Sequence, residues 1–262
     1  MIQRIASGII AGILALPAFA LDVSEVQLID LSHSYNSDTL YWPTSPSKFE
    51  KQELAFGESA DGYFYSAYSI STPEHGGTHL DAPLHFAADG WPTDRIPLQN
   101  LIGNAVVIDI SKQAAADRNY RLSVSDVRAF EDQHGRISPG DIVLLRTDWD
   151  QFWPDAKSYL GDDTPGDDTK LQFPSFGEEA ARLLVEDRGV AILGVDTAST
   201  DFGKSKDFVV HRIAAARNVS NLENLTNLDR LPPTGAVVFA LPMKIEGGSG
   251  GPVRVVALVP KK

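Results

Sequence analysis

The segment Glu74 to Phe86, EHGGTHLDAPLHF, holds three of the chain's six histidines together with an aspartate and two adjacent glycines. In extended backbone His79 and Asp81 fall on the same side, because strand side chains alternate with a period of two. Gly76 and Gly77 permit a sharp turn that brings His75 back beside them. Two neutral imidazoles and a carboxylate suit a divalent cation such as Zn, Mn or Fe(II), and three protein ligands leave positions for water and substrate. Open positions distinguish a catalytic site from a structural one. Pro83 stiffens the chain beyond Asp81, so His85 stands at a fixed distance, placed to handle a proton or to bind another cation. Any one of these histidines would suit an ordinary structural role. Four such residues at this spacing, beside two glycines, point to a metal site.

The elements that must hold this segment are short and rich in Val and Ile. Strands are expected at 26–32, 64–72, 104–111, 140–148, 190–197, 235–243 and 253–260. Several are near-continuous apolar runs, the pattern of strands buried on both faces. FYSAYSIS alternates and reads as half-buried. Helices are expected at 123–134, opened by a Ser/Asp cap and closed at Gly135, and at 175–189, with Ser175 and Glu178 as a capping box and Gly189 as terminator. A third is expected at 208–218. Together these predict one mixed α/β domain with a parallel-rich sheet.

Composition narrows the function classes. Met1 to Ala20 carries a positive start, an apolar run and a closing Ala18-Phe19-Ala20, the pattern of a cleaved signal peptide. The run is short for a membrane span, so the expectation is a periplasmic or secreted domain over 21–262, with no membrane attachment after cleavage. The absence of cysteine excludes thiolate metal sites and disulfides. A net charge of -12 argues against nucleic acid, since nothing would neutralise phosphates. The Asp-rich stretch 162–168 lacks EF-hand spacing and reads as a solvated loop. GGSGG at 247–251 reads as a flexible turn rather than a nucleophile elbow. His33 and His134 read as structural, His134 as a cation suited to a helix end. The NVS and NLT sequons read as chance.

HGGTHLDAPLHF resembles the His-x-Gly-Thr-His-x-Asp-x-Pro-x-His signature of the cyclase-like metal hydrolases, a family that includes kynurenine formamidases and isatin hydrolases. IDLSHSYNSDTLYWPTSP, GVDTASTD and LPMKIEGGSGGPVRVVAL resemble its opening, central and C-terminal elements, so the resemblance covers nearly the whole chain beyond the leader. It implies a single mixed-sheet domain of the swivelling β/β/α type. It implies that His75, His79 and Asp81 are metal ligands and His85 the catalytic histidine. His211 and Glu223 match a distal pair that binds substrate or a second metal. One divalent ion is expected, manganese first and zinc as the alternative.

The activity this resemblance implies is hydrolysis of aryl amides, with the lactam ring of isatin as first choice and N-formylkynurenine as the alternative. An exported enzyme suits scavenging of environmental indole products better than a cytosolic pathway. Trp42, Tyr63, Phe64, Tyr65 and Trp91 lie near the motif in sequence and could wall a planar substrate. A non-catalytic periplasmic metal- or ligand-binding protein would instead close its coordination shell with His85, and an Fe(II) oxygenase would need iron and oxygen. Pro83 and His85 favour a base-assisted hydrolase over both. The family also implies a homodimer or a higher homo-oligomer.

Overall fold

The computed structural model describes residues 22–261, so the expected leader lies outside the described residues. The strands are β1 (Val26–Asp30), β2 (Glu50–Glu58), β3 (Phe64–Ser71), β4 (His79–Asp81), β5 (Ile102–Asp109), β6 (Arg121–Leu122), β7 (Ile142–Arg146), β8 (Ser175–Phe176), β9 (Ile192–Val195), β10 (Ser220–Glu223), β11 (Val237–Pro242) and β12 (Gly250–Pro260). The main sheet runs β1-β12-β11-β5-β7-β9-β10-β4, and β4 also pairs with β12. That last pairing turns the sheet into a closed ring. The block β5-β7-β9-β10 is parallel and the remaining pairings are antiparallel, so the mixed α/β architecture expected from the sequence is present.

The apolar runs explain both faces. Ala105, Val107, Ile142 and Leu144 enter one core with Leu80, Leu222, Val238 and Val255. Their neighbours Val106, Ile108, Val143 and Leu145 enter a second core, built with Val127, Phe130, Ala181, Leu184, Val210 and Ala214 from helical segments. Strict alternation into two apolar layers is what a near-continuous Val/Ile/Leu run supports.

The helix Val124–His134 has the expected Ser/Asp cap, which takes the form of a capping box with Asp126 N donating to Ser123 Oγ, and Gly135 closes it. The expected helix 175–189 differs. Ser175 is not a cap: it is drawn into β8, which pairs with β6, and the helix starts at Glu178 after Gly177. Its second half, Leu183–Arg188, widens into a π-turn before Gly189 ends it in left-handed backbone. The third helix is Val209–Ala215.

The strand expected at 64–72 is also not half-buried. Among the described residues it pairs only with β2, which the polar sequence EKQELAFGE did not announce, and the resulting ribbon is exposed on both faces. Phe56, Phe64, Tyr68 and Ile70 share one face, where Phe56 and Phe64 meet edge to face at 5.3 Å.

Candidate metal centre

β4 is three residues long and fully buried between β10 and β12. Leu80 points into the ring core, so alternation turns His79 and Asp81 together to the opposite side. Glu223 is the cross-strand partner of His79 and is delivered to the same face. The turn before β4 needs its glycines. Gly76 and Gly77 have φ of 149° and 57°, and a Cβ on Gly77 would come within 2.6 Å of the Tyr35 ring. This turn places His75 Nδ1 2.6 Å from Asp81 Oδ1.

His211 arrives from the helix Val209–Ala215. Asp201 accepts from the first-turn amides of Val210 (2.9 Å) and His211 (3.0 Å) and from His211 Nδ1 (2.6 Å). One carboxylate therefore starts the helix and fixes the imidazole on it. His211 Nε2 is left facing Asp81 Oδ2 at 3.1 Å and Glu223 Oε1 at 3.2 Å.

The hydrogen bonds around the cluster decide which ring nitrogens carry protons. Ser249 Oγ and Ser249 N both donate to Glu74 Oε2, at 2.6 and 3.0 Å. With its one proton spent there, Ser249 Oγ accepts from His75 Nε2 at 2.9 Å, which leaves Nδ1 bare. His79 Nδ1 donates to the Gly77 carbonyl at 3.0 Å, which leaves Nε2 bare, 3.2 Å from Asp81 Oδ1 and 3.6 Å from Glu223 Oε2. Asp201 fixes His211 in the same sense. With all three rings neutral, three lone pairs of nitrogen would converge on the oxygens of two buried carboxylates. Acceptors crowded this closely repel unless positive charge lies among them.

The electrostatics carry that demand. Burial works against a charged His79, yet Asp81 and then Glu223 hold its pKa up at about 9. His211 is likewise raised well above its usual range: Asp201, Asp81 and Glu223 together outweigh its burial. For Asp81, burial opposes charge, but the neighbouring His79 charge and the hydrogen bond from His211 hold it well below the carboxylate range. A divalent cation fits the same demand, and the N/O donor set is the kind that zinc, manganese or iron takes. Two donor groups are formed among the described residues, His75–His79–Asp81 and Asp81–His211–Glu223, with Asp81 common to both.

His85 stands outside both groups. Its ring stacks on His75 at 3.8 Å and 19° and lines the cavity above the cluster. Burial pushes its pKa down to about 4; Asp81 pulls the other way, and the neighbouring imidazoles add to the lowering. The ring is therefore neutral at neutral pH and free to accept a proton.

The cavity holds about 560 Å³ and is walled by Tyr41, Trp42, Phe86, Leu160 and Phe208 above the donor groups. Of the aromatics singled out from sequence, Trp42 is in this wall. Tyr63, Phe64 and Tyr65 are not: they sit on the exposed β2-β3 ribbon. Trp91 is not either, because it packs against the ring core. Proximity in sequence was a poor guide here because the chain reverses direction at 59–63 and again after Phe86. Phe86 directly follows His85 and Phe208 begins the His211 helix, so both could have been found as neighbours of motif histidines. GGSGG is more than a flexible turn: Ser249 holds His75 and Glu74, and Gly250–Gly251 pair with β4. The Asp-rich loop is not wholly solvated. Asp168 reaches the cavity rim, where Trp42 Nε1 (3.4 Å) and Lys206 Nζ (3.2 Å) donate to it.

His33 and His134 keep structural places. His33 stacks on Trp153 at 4.3 Å, and His134 closes its helix against Phe130.

Comparison with known proteins identifies the family. The model of the Cyclase family matches residues 29–202, more than half of the chain. An isatin hydrolase of Roseibium aggregatum is 37% identical over 248 residues, which cover 90% of this chain and 93% of the relative. A kynurenine formamidase of Salinibacter ruber is 31% identical over 87% of this chain and 96% of its own. The crystal structure of an isatin hydrolase bound to the product analogue thioisatinate superposes with a TM-score of 0.81 at 33% identity, covering 91% of this chain and 94% of that one. Isatin hydrolase A from Labrenzia aggregata, bound to benzyl benzoate, gives a TM-score of 0.84 at 33% identity over 92% and 96% of the two chains.

Proposed function

The chain belongs to the Cyclase family and is a hydrolytic enzyme, and on that premise we propose that it opens the lactam ring of isatin to isatinate. The observation that supports this most is the pairing of a buried His/Asp/Glu donor cluster with a neutral, cavity-facing His85 under aromatic walls. We infer that His75, His79 and Asp81 hold one divalent ion, manganese first and zinc as the alternative, and that His211 and Glu223 face the substrate or a second ion. When bound, such an ion lowers the pKa of water and polarises a carbonyl.

The chain's own residues do the rest. Trp42, Phe86 and Phe208 line the cavity that receives a planar substrate, each good aromatic pair contributing about 0.5–1.5 kcal/mol beyond burial. His85 takes the proton of the attacking water on a ring nitrogen and returns it to the leaving nitrogen. Water oxygen bonds to the lactam carbon, the C–N bond breaks, nitrogen is released as the aryl amine with the proton from His85, and the carboxylic acid so formed gives its remaining proton to solvent. Glu74 with Ser249, the Gly77 carbonyl, and Asp201 hold the three imidazoles in their tautomers throughout.

The deciding assay follows ultraviolet absorbance of isatin and of N-formylkynurenine with metal-stripped protein while manganese or zinc is titrated in. Metal-dependent consumption of isatin, in preference to formylkynurenine, is the expected result. Preference for formylkynurenine would move the chain to the formamidase activity, and inertness of the metal-loaded protein toward both would overturn the aryl-amide reading.

The reading includes export to the periplasm, supported by the leader-like sequence of residues 1–20, and assembly of the chain with copies of itself. The β2-β3 ribbon supports the second point. A lone two-stranded ribbon is marginal in water, and Phe56 and Phe64 are 64% and 60% exposed on its apolar face, beside both signs of charge at Lys51, Glu53 and Glu58. Such a face is complementary to itself. The double substitution Phe56→Asp, Phe64→Asp should turn an oligomer into monomer by light scattering on a sizing column. A wild-type protein that is already monomeric would sink the idea.

A further inference from the structure

The carbonyl of Gly77 accepts two hydrogen bonds, from His79 Nδ1 at 3.0 Å and from Asn224 Nδ2 at 2.8 Å. The orientation of the Asn224 amide follows from chemistry: a carbonyl only accepts, so the NH2 faces Gly77 and Oδ1 faces away. There Oδ1 accepts from the Tyr159 hydroxyl at 3.0 Å. Tyr159, Asn224, Gly77 and His79 are all buried, so none of these bonds competes with bulk water.

The main chain of Asn224 grips the same turn. Its carbonyl accepts from Thr78 Oγ1 at 2.6 Å, and its amide donates to the Thr197 carbonyl at 2.8 Å. Asn224 itself stands at φ 55°, a left-handed conformation that asparagine tolerates and most residues do not. It follows Glu223 directly, so one residue is tied to the first donor group through Gly77 and to the second through the chain.

We propose that Asn224, backed by Tyr159, is a positioning residue: it anchors the Gly77 carbonyl and through it the tautomer and ring direction of His79, presenting His79 Nε2 to the cation. This rests on the metal-dependent reading above. It assigns a chemical task to a residue that touches neither the ion nor the scissile bond. Outer partners of metal-binding imidazoles typically change metal affinity by about 10–100-fold when removed.

The test is the manganese dissociation constant of the purified protein, measured by competition with a fluorescent chelator, for wild type, Asn224→Gly and Tyr159→Phe. Glycine keeps the left-handed backbone and removes only the amide. The expected result is manganese binding weakened about 10–100-fold in Asn224→Gly and less, in the same direction, in Tyr159→Phe, with kcat largely restored at saturating manganese. A purely structural role would lower the melting temperature and leave the dissociation constant of the folded variant unchanged, and that outcome overturns the proposal. Should Asn224→Gly fail to fold, Tyr159→Phe decides by the same criterion. Wild-type protein that binds neither manganese nor zinc would instead refute the metal reading itself.

Discussion

Asp81→Asn is expected to abolish both metal retention and turnover in a protein that still folds. Asparagine keeps the size of the side chain but removes the charge that both donor groups share, and it places an NH2 against the bare nitrogens of the imidazoles. Lewis-acid assistance contributes several kcal/mol, so kcat/KM should fall by roughly 10³-fold or more. Metal content by mass spectrometry and isatin turnover, measured on one preparation, check it. Full turnover in metal-free Asp81→Asn would rule out the role assigned to the cluster.

The same cluster predicts how metal binding depends on pH. His79 has a pKa raised to about 9, so below that value a proton occupies the place a cation needs. Apparent metal affinity should therefore fall as pH falls, roughly tenfold per unit for each proton displaced. Linkage gives the matching sign for stability. A raised histidine pKa stabilises the metal-free fold fully below its unfolded value of 6.5, and that contribution is lost as pH rises through about 9. Added metal should restore stability on the alkaline side.

His85→Ala should separate chemistry from binding. His85 belongs to neither donor group, so metal content should stay at the wild-type level while kcat falls by about 10²–10⁴. Burial holds its pKa down at about 4, which places the acid limb of kcat/KM below the ordinary imidazole range, and that limb should disappear in the variant. Loss of metal along with activity would instead make His85 a ligand. Unchanged kcat would remove it from the reaction.

Much of this centre was legible in the sequence because it is local. His79 and Asp81 are two residues apart on a strand, and the strand period alone puts them on one face. His75 needed only the positive φ of two glycines. His211 and Glu223 are different: no periodicity links them to residue 79, and only the resemblance tied them to the site. The structure supplies the physical reason, which is register between β10 and β4 and an Asp201 cap that aims the helix. Residues that act by hydrogen bonds across the fold, such as Ser249, Asn224 and Glu74, left no signal of their own. GGSGG has the composition of a loop whether or not its serine holds a histidine. The fold shows the same division. The long buried strands announced themselves by Val/Ile runs, whereas β4 and β10, buried but short and polar, did not, and the mixed-composition β2 was invisible until its partner was known. Ser175 looked like a cap because a capping box is a local pattern, and a two-residue pairing with β6 overrode it.

The three-residue β4 has a bearing on how the molecule folds. It shuts the ring by pairing with β10 and β12, segments that lie far along the chain, and such non-local pairings form late because loop-closure entropy must first be overcome. The local His75–His79–Asp81 group meets Glu223 and His211 only once that clasp is fastened. A cation that recognises their convergence thus binds the finished topology and none of its precursors, drawing the population toward it by mass action. Metal uptake during refolding would time the closing of the ring.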